Sequence, residues 1–562
     1  MRTGADFLPP EALEKAKAGN KFEKTKLAKC GSATFHEVYK WAAAVRSGNF
    51  TWEDLDIDDA DVRIKYVGAF HRRKRAPGTF MMRCKIPNGI VTADQLRYAA
   101  GCAAKYDPRV GVLDITTRQS LQIRGVTLQD MDGVVDGLRR AGVPSLMSGL
   151  DNLRNVVGHP LAGIDPEEVA DTRALCRALD AWYTANGEGN LEFCNLPRKI
   201  NVAVSGSADD FSHTMVNDVG LQAAVRGGRV GYDVVVGGYF SIKRYAKSIP
   251  LGLWVPEEHA LAFCQAVLRI FRDRGDRADR QKTRLMWLVE ALCVEDFRGA
   301  LLAEMARADP AAAAAAGQTF GTVILPGGGG DDATAAAAIS SGGQKTGRRE
   351  LLGVHRQKQA GRSWVGVCVP AGRLSVADAM LAADVAERYA GGEMRLTVDQ
   401  NILFPNVAED DVEEMQRMPF FKTHPVRHGD VTSGTVSCTG AQFCGLALAE
   451  TKMRAVEISA MLDAELAFPN GAPTVHWTGC PNSCGQAQVG DIGLMGGPAK
   501  KNGKAVEGYN IFLKTPPANA AADAHGGLGE IWRKGVPAAT EDLFPVLREL
   551  CVTHFGGVPR NS

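Results

Sequence analysis

The sequence has no run of 18 or more apolar residues, so it predicts no membrane-spanning helix. Its net charge is only +1 at pH 7, which argues against a general nucleic-acid-binding protein. No Gly-x-Gly-x-x-Gly motif follows a predicted strand, which argues against a Rossmann nucleotide site. The first residues show neither the apolar core of a secretory signal nor an Arg/Ser-rich transit pattern. These absences exclude the membrane-spanning and general nucleic-acid-binding classes.

What is present is the composition of an ordinary globular protein. The chain has 562 residues, 45% hydrophobic and 23% charged, enough for about four modules of roughly 150 residues each. Its 13 cysteines come without a secretory signal, and free thiols of this kind predict a reducing compartment. Cysteines in such a compartment are better candidates for metal ligation than for disulfides.

Two segments of the chain resemble each other at an offset of 283 residues. Residues 87–92 (Pro-Asn-Gly-Ile-Val-Thr) match residues 370–375 (Pro-Ala-Gly-Arg-Leu-Ser), and an Ala-rich helical stretch ending at Tyr106 or Tyr389 follows each. The last residue of each segment, a threonine or a serine, suits a helix N-cap. Chance similarity is the alternative, but the shared offset favours a true duplication.

A second match, between residues 115–121 and 396–402, follows in each half. Each half then reads strand, Pro-Gly turn, helix, strand, which suits an α+β arrangement with helices on one face of a sheet. A larger segment follows each unit, and we pair an apolar strand ending in Gly-Gly in the first (231–238) with one in the second (491–497). The sequence thus predicts a pseudo-twofold chain with a cofactor where its halves meet.

A low-complexity stretch rich in alanine and glycine, about residues 308–346, separates the halves. Such tracts bury too little apolar area to offset chain entropy, so we expect a mobile surface insertion; a helical extension around Ala316 is the alternative. The predicted segments are an N-terminal arm (1–65), a first half-domain (66–145), a first larger domain (146–307), a linker (308–350), a second half-domain (351–425) and a second larger domain (426–562).

Four cysteines near the C-terminus carry the strongest functional signal. Cys438 and Cys444 are spaced Cys-x5-Cys, and Cys480 and Cys484 are spaced Cys-x3-Cys. Four thiolates from two loops can ligate a [4Fe–4S] cluster. Zinc knuckles usually use two tight Cys-x2–4-Cys pairs, whereas here one pair is spaced x5 and the two pairs are 35 residues apart. Four buried structural cysteines are the third interpretation. The spacing favours the cluster, and we expect the other nine cysteines, which are isolated in the sequence, to be core residues.

In spacing and flanking residues, the cysteine loops at 437–444 and 478–485 resemble the cluster-and-siroheme site of ferredoxin-dependent nitrite and sulfite reductases. The segments Thr-Thr-Arg-Gln (116–119) and Leu-Pro-Arg-Lys-Ile-Asn (196–201) carry the resemblance into the first half. It implies two cofactors, siroheme and a [4Fe–4S] cluster held by all four cysteines, with Cys484 bridging the two.

The same resemblance implies an α+β fold with a duplicated chain. Two ferredoxin-like half-domains and two larger mixed α/β domains would meet at the cofactor. The resemblance covers roughly residues 60–305 and 350–560.

Siroheme carries eight carboxylates, and burying them requires many cations, of which arginine is the best partner because its planar fork binds two oxygens. The resemblance assigns Arg118, Arg124 and Arg198 to this role, and Arg83, Arg154 and Lys199 are further candidates for it. A solvated surface charge is the alternative for each. The resemblance also places four residues on the substrate side of the iron: Arg83, Arg154, Lys199 and Asn201. Cations there attract an anion, polarise its N–O bonds and supply protons.

Asn201 decides the substrate within this resemblance. Sulfite reductases have lysine at this place and nitrite reductases have asparagine, and one charge fewer suits the monoanion nitrite. Removing one charge from a water-poor pocket shifts relative affinity by roughly a few kcal/mol. The implied activity is assimilatory reduction of nitrite to ammonium with six electrons. The alternatives are assimilatory sulfite reduction and, from another class, a non-catalytic electron-transfer or zinc-stabilised binding protein.

Without a nucleotide or flavin module, the electrons must come from a separate protein, and the resemblance implies reduced ferredoxin. Ferredoxins of this kind are acidic, so a basic docking patch is expected. Two basic runs are candidates, residues 72–75 (Arg-Arg-Lys-Arg) and Lys500, Lys501 with Lys504. A solvated face is the alternative for both, and a place in the siroheme pocket is a further alternative for part of the first run. The resemblance further implies a monomer in the chloroplast stroma, or in the cytoplasm of a cyanobacterium-like host.

Overall fold

The computed structural model describes residues 3–242, 244–316, 350–514 and 527–560. Four five-stranded sheets form the framework, and helices pack against them. The helices are Pro10–Lys17, Lys21–Ala28, Thr34–Arg46, Ile57–Asp61, Ala93–Tyr106, Met131–Arg140, Arg173–Thr184, Ala260–Arg274, Leu285–Leu292, Val294–Ala308, Pro310–Ala316, Val376–Tyr389, Val412–Gln416, Phe420–Thr423, Asp430–Ser433, Lys452–Glu465 and Thr540–Phe555.

The two repeated units form two antiparallel sheets. In spatial order, sheet 1 consists of Ala69–His71, Thr79–Arg83, Leu121–Thr127, Val112–Ile115 and Arg373–Ser375. Sheet 2 consists of Gly353–Arg356, Arg362–Val367, Ile402–Ala408, Glu393–Leu396 and Ile90–Thr92.

The two halves exchange one strand each. Strand Arg373–Ser375, from the second half, pairs with Val112–Ile115 of sheet 1, where Leu374 lies opposite Leu113. Strand Ile90–Thr92, from the first half, pairs with Glu393–Leu396 of sheet 2. Each sheet is therefore complete only when the other half of the chain is present.

The exchanged strands start the two helices that the sequence predicts. Thr92 accepts a hydrogen bond from the Gln95 N–H (3.3 Å), and Ser375 accepts one from the Asp378 N–H (3.0 Å), so both are N-caps. The helices that follow, Ala93–Tyr106 and Val376–Tyr389, pack against each other. The predicted duplication is thus present in the backbone as well as in the sequence.

The two larger segments form sheets with the same connectivity, two parallel pairs followed by two antiparallel pairs. Sheet 3 consists of Val157–Gly158, Val202–Ser205, Val219–Arg226, Arg229–Val236 and Ile249–Pro256. Sheet 4 consists of Thr435–Ser437, Val475–Thr478, Ile492–Lys501, Lys504–Leu513 and Glu530–Pro537. Two short ribbons complete the strands, Tyr239–Phe240 with Tyr245–Ala246 and Leu466–Ala467 with Val558–Pro559. This architecture confirms the predicted duplicated α+β fold.

The sequence-based pairing of residues 231–238 with 491–497 is wrong. By its position in the sheet, strand Ile492–Lys501 corresponds to strand Val219–Arg226. The matching sequence segments are Asp-Val-Gly-Leu (218–221) and Asp-Ile-Gly-Leu (491–494). Strand Ile492–Lys501 also continues through its Gly-Gly pair instead of ending there. A side chain on Gly496 would lie 2.4 Å from the Gly479 carbonyl oxygen, so glycine is needed for close approach to a cysteine loop.

The predicted linker is partly helical. Residues 310–316 form a helix with Ala312 and Ala316 buried, so the helical alternative is correct there, and residues 317–349 lie outside the described residues. The segment boundaries proposed from the sequence stay a prediction. Within the described ranges, no helix has both the length and the apolar character needed to cross a bilayer.

Candidate active site

Strand ends and loops of both halves enclose one cavity of about 470 Å³. The turn after Val112–Ile115 in sheet 1 forms one wall, together with Arg83 at the end of its strand. Lys199 and Asn201, which precede strand Val202–Ser205 of sheet 3, form a second wall. Cys438 and Cys484, from the loops of sheet 4, form a third. Duplication therefore brings chemically different loops of the two halves to one place.

Parallel pairing in sheet 4 brings the two cysteine loops together. Strands Thr435–Ser437 and Val475–Thr478 are parallel neighbours, so their following loops leave the same edge of the sheet. The Cys438 N–H donates to the Trp477 carbonyl (2.9 Å), and the Gly479 N–H donates to Cys438 Sγ (3.2 Å). Two cysteine pairs that are distant in the sequence thereby become neighbours.

The four thiols lie close enough to affect one another's ionisation. Burial and then the neighbouring thiols, Cys484 first, raise the pKa of Cys480 to about 12. Burial likewise raises the pKa values of Cys438 and Cys444, and Cys484 contributes to both. Among the described residues, no three His, Cys, Asp or Glu side chains form a site for one metal ion. The two loops bring the four thiols near one another, which is what a cluster held by four thiolates requires.

Arg83 and Arg154 line the cavity, and no carboxylate among the described residues forms an ion pair with either of them. Arg154 donates to the backbone carbonyls of Ser148 (2.9 Å) and Leu150 (2.8 Å). The Arg83 guanidinium lies 4.4 Å from the centre of the Phe70 ring. Burial, then the charge of Arg83, lower the pKa of Arg154 well below its usual range. Neutral partners of this kind fix the two cations in place and leave their positive charge for an anion.

Asn201 joins two arginines at the cavity wall. With its amide oxygen turned toward them, it accepts hydrogen bonds from Arg118 (2.9 Å) and Arg284 (3.1 Å). Arg284 also forms a double ion pair with buried Asp218 (2.5 and 2.9 Å). Lys199 has no acceptor within hydrogen-bond distance among the described residues. Burial, and then the charge of Arg284, lower the pKa of Lys199 well below its usual range.

Arg198 lies on the cavity wall 3.6 Å from Asp151, which is fully buried. The Asp151 carboxylate accepts two hydrogen bonds of 2.6 Å from Arg280 and one of 3.3 Å from Lys26. Lys26 belongs to the N-terminal helix Lys21–Ala28 and also pairs with Glu23 (2.5 Å). One carboxylate thus ties the N-terminal arm to two arginines of the cavity.

Arg124 does not line the cavity, unlike the other residues predicted for cofactor binding or substrate contact. It is fully buried, pairs with Asp114, and places its guanidinium 4.2 Å from the centre of the Phe443 ring. Its strand, Leu121–Thr127, points this side chain toward the cluster loop. The predicted role of Arg124 toward the siroheme carboxylates stays a proposal.

Sequence reasoning missed several residues that line the cavity. Lys65, Arg280, Arg284 and Lys452 are four further cations on its wall. Arg280 lies in a charged stretch, Arg-Ala-Asp-Arg-Gln-Lys (277–282), that reads as a solvated loop. No local signal separates these residues from surface charges, because partners distant in the chain, such as Asp151 for Arg280 and Asp218 for Arg284, decide their surroundings.

The cavity wall is strongly cationic. Among the described residues, nine cations and one carboxylate, Asp114, line it, and the cations are Lys65, Arg83, Arg118, Arg154, Arg198, Lys199, Arg280, Arg284 and Lys452. Burial, followed by neighbouring arginines, lowers the pKa values of Arg118 and Arg198 to about 10 each. Such a surplus of buried positive charge is unfavourable without a counter-charge. The residues that line the cavity therefore fit a group that carries many carboxylates, such as siroheme.

The remaining nine cysteines are not all core residues, contrary to our expectation. Cys293 is exposed at the joint between two helices, Leu285–Leu292 and Val294–Ala308, and Cys30 is half-buried. The other seven are buried: Cys84, Cys102, Cys176, Cys194, Cys264, Cys368 and Cys551.

The two basic runs have different surroundings. In the run 72–75, Arg72 lies 4.8 Å from the centre of the Phe443 ring, and Lys74 lies against Gly445, so the run borders the cluster loop. In the second run, Lys501 is paired with Glu541 (3.0 Å) and Asp542 (2.6 Å). Arg73 of the first run is likewise paired, with Asp61 (2.8 Å), so the two runs differ in position: only the first lies beside predicted cluster ligands.

Known proteins share these features over almost the whole chain. Residues 149–308 match the family model of the nitrite and sulphite reductase 4Fe-4S domain, and residues 72–141 and 355–419 match that of the nitrite/sulfite reductase ferredoxin-like half domain. The chain belongs to the nitrite and sulfite reductase family. Siroheme and a [4Fe–4S] cluster are the cofactors that go with this membership and with the cavity and thiols described above.

Within that family, the chain is similar to several ferredoxin–nitrite reductases. The chloroplastic protein of Zea mays is 43% identical over 97% of this chain and 91% of its own length. The protein of Synechococcus elongatus is 42% identical over 96% of this chain and 98% of its own length. The solved structure of the Mycobacterium tuberculosis NirA protein shares the fold, with a TM-score of 0.79 and 23% identity over 94% of this chain and 92% of that one.

Proposed function

We propose that this protein is an assimilatory, ferredoxin-dependent nitrite reductase. The reaction takes up six electrons and eight protons and converts nitrite to ammonium and two waters. The observation that carries the proposal is a cationic cavity that has Cys484 on its wall and whose substrate-side cations are held by neutral partners. When bound, siroheme would supply the iron at which nitrite is reduced, and a cluster held by the four cysteines would supply the electrons one at a time.

Arg83 and Arg154 are proposed to bind the nitrite oxygens. Because Arg154 is anchored by two backbone carbonyls, its position is set without a carboxylate that would cancel its charge. A hydrogen bond to a charged group contributes about 1.5–3 kcal/mol, more when the site is dry. These donors hold the anion and polarise its N–O bonds as the oxygens leave.

Lys199 is proposed as a proton donor. Its pKa is lowered by burial and by Arg284, so its ammonium releases a proton more readily near neutral pH than an ordinary lysine. Asn201 contributes an uncharged amide between Arg118 and Arg284. We propose that this missing charge favours the monoanion nitrite over sulfite.

Ferredoxin is proposed to dock on the first basic run and the apolar surface beside it. Arg73, Lys74 and Arg75 are exposed there, and Leu446 and Leu448 are exposed on the cluster loop, 68% and 54% respectively. A basic rim steers an acidic partner, and exposed leucines provide apolar contact area. This position brings the donor next to Cys444, which shortens the electron path to the cluster.

The cellular setting and assembly are also proposals. The relatives from plants are named chloroplastic, and the one from Synechococcus elongatus is not. We propose the chloroplast stroma, with the cytoplasm of a cyanobacterium-like host as the alternative, and a monomeric enzyme.

The test is steady-state turnover with a reduced viologen donor, which compares nitrite with sulfite on one preparation that contains siroheme. We expect strong preference for nitrite with ammonium as the product. Arg154→Gln should raise the KM for nitrite roughly 10-fold or more, because a charged hydrogen bond is lost. The matched control is Arg229→Gln, which removes one arginine from an exposed ion pair with Glu258. Preference for sulfite would contradict the substrate assignment, and no turnover with either would contradict the catalytic one.

A further inference from the structure

Phe443, the residue before Cys444, is surrounded by arginines. Its ring is buried, with only 7% exposed, and three guanidiniums face it, Arg124 at 4.2 Å, Arg72 at 4.8 Å and Arg373 at 5.0 Å from the ring centre. We call this group the Phe443 cage. Cations over a ring face are attracted by its negative quadrupole, so the ring can hold the three side chains in place.

Both halves of the chain contribute to the cage. Arg124 lies on strand Leu121–Thr127 and Arg72 follows strand Ala69–His71, both of the first half. Arg373 lies on the exchanged strand of the second half and also donates to Gln442 Oε1 (2.7 Å), next to Phe443. The cage therefore requires the strand exchange that completes sheet 1.

The cage carries more positive charge than its described partners neutralise. Asp114 accepts from Arg373 (2.9 and 3.2 Å) and pairs with Arg124, but no carboxylate among the described residues forms an ion pair with Arg72. Buried nitrogens of Arg72 (Nε) and Arg124 (Nε and Nη1) have no hydrogen-bond partner among the described residues. Buried cationic donors without acceptors are costly unless a negative charge lies nearby.

Phe443 directly precedes Cys444, so the cage lies next to one of the four proposed cluster ligands. A [4Fe–4S] cluster with four thiolate ligands carries net negative charge, and uptake of one electron from ferredoxin makes it more negative by one. We propose that the Phe443 cage stabilises the reduced cluster and so raises its reduction potential. Phe443 holds the arginines in position, and Arg72 contributes positive charge to the cage. This inference rests on the proposed function, since it requires the cluster at the four cysteines.

The test is a potentiometric titration of the cluster in the holoenzyme, followed by the electron paramagnetic resonance signal of the reduced state. We expect Arg72→Gln to lower the midpoint potential, because it removes a positive charge in the cage. Arg72→Lys keeps the charge and should restore most of the potential. Phe443→Leu keeps an apolar side chain but removes the ring face, and it should also lower the potential.

The matched control is Arg73→Gln, which removes the same charge from the neighbouring residue. Arg73 is exposed and paired with Asp61 (2.8 Å), so solvent and salt screen it and the potential should stay at the wild-type value. Equal potentials in Arg72→Gln and Arg73→Gln would overturn the inference. Failure of the proposed function would look different: the wild-type protein itself would lack the cluster signal or nitrite turnover.

Discussion

At the scale of residues, the cavity combines strong positive charge with neutral anchoring. Arg154 is held by two carbonyls, and Lys199 has no described acceptor, whereas Arg284 and Arg280 are paired with Asp218 and Asp151. Paired arginines keep less of their charge available for other groups. This difference distinguishes the cations that are proposed to bind substrate from those whose charge is used in ion pairs of the cavity wall.

Asn201→Lys tests the substrate assignment at a single residue. Lysine would add a charge beside Arg118 and Arg284 and remove the amide oxygen that both contact. We expect the ratio of kcat/KM for sulfite to that for nitrite to rise, because an added charge favours the dianion. Steady-state kinetics with both substrates measures this ratio.

Asn201→Gln is the control for that variant, since it keeps the amide and adds no charge. Its substrate ratio should stay near the wild-type value. An unchanged ratio in Asn201→Lys, or an equal rise in both variants, would contradict the role given to charge at this position.

At the scale of elements, buried polar contacts join the N-terminal arm to the active site. Helix Lys21–Ala28 inserts Glu23 and Lys26, both buried, and Asp151 connects Lys26 to Arg280 and Arg198. Phe22 of the same helix lines the cavity and stacks on Arg280 at 4.3 Å. The arm is therefore part of the cavity's support.

Asp151→Asn tests this connection and its pH dependence. The neighbouring cations outweigh burial and hold the pKa of Asp151 below its ordinary value of 3.8, so its stabilisation is present above that pH and is lost as pH falls below it. Removing one partner of a buried ion pair typically costs about 3–5 kcal/mol. We expect the gap in unfolding free energy between wild type and Asp151→Asn to be large at pH 7 and to narrow below pH about 4.

Urea unfolding at several pH values measures that gap. The control is Asp384→Asn, an exposed carboxylate paired with Arg97, which should change stability by only about 0–1 kcal/mol. A gap of the same size at pH 7 and at pH 3 would contradict the account.

At the scale of the whole molecule, strand exchange makes the halves interdependent. Sheets 1 and 2 each take one strand from the other half, and the Phe443 cage takes an arginine from one of those strands. We therefore expect the two halves to unfold together, although large proteins often unfold in steps.

Leu374→Ala tests that coupling. Leu374 is fully buried on the exchanged strand, opposite Leu113, and its truncation should cost about 2–5 kcal/mol. We expect hydrogen exchange to accelerate in strand Val112–Ile115, which belongs to the other half. Met380→Ala, at an exposed position of helix Val376–Tyr389, is the control. Unchanged protection of sheet 1 in Leu374→Ala would show that the halves are independent.

Local patterns in the sequence predicted the duplicated fold and pointed to the four cysteines as proposed cluster ligands. The caps at Thr92 and Ser375 are local, because a side-chain oxygen bonds to a backbone N–H three residues ahead. The four cysteines could be proposed as ligands because cluster ligation requires thiolates at short spacings within each loop. Asn201 and Lys199 could be found because they lie in one short motif.

Tertiary structure alone decided which other charges meet. Arg280 and Lys26 are ordinary charged residues in the sequence, and their contact with the same carboxylate, Asp151, which is distant in the chain from both, exists only in the folded protein. The exchanged strands and the placement of Arg124 on Phe443 instead of on the cavity wall follow from pairing between halves. Electrostatic energy depends on distance and burial, and neither is set until residues far apart in the chain have packed together.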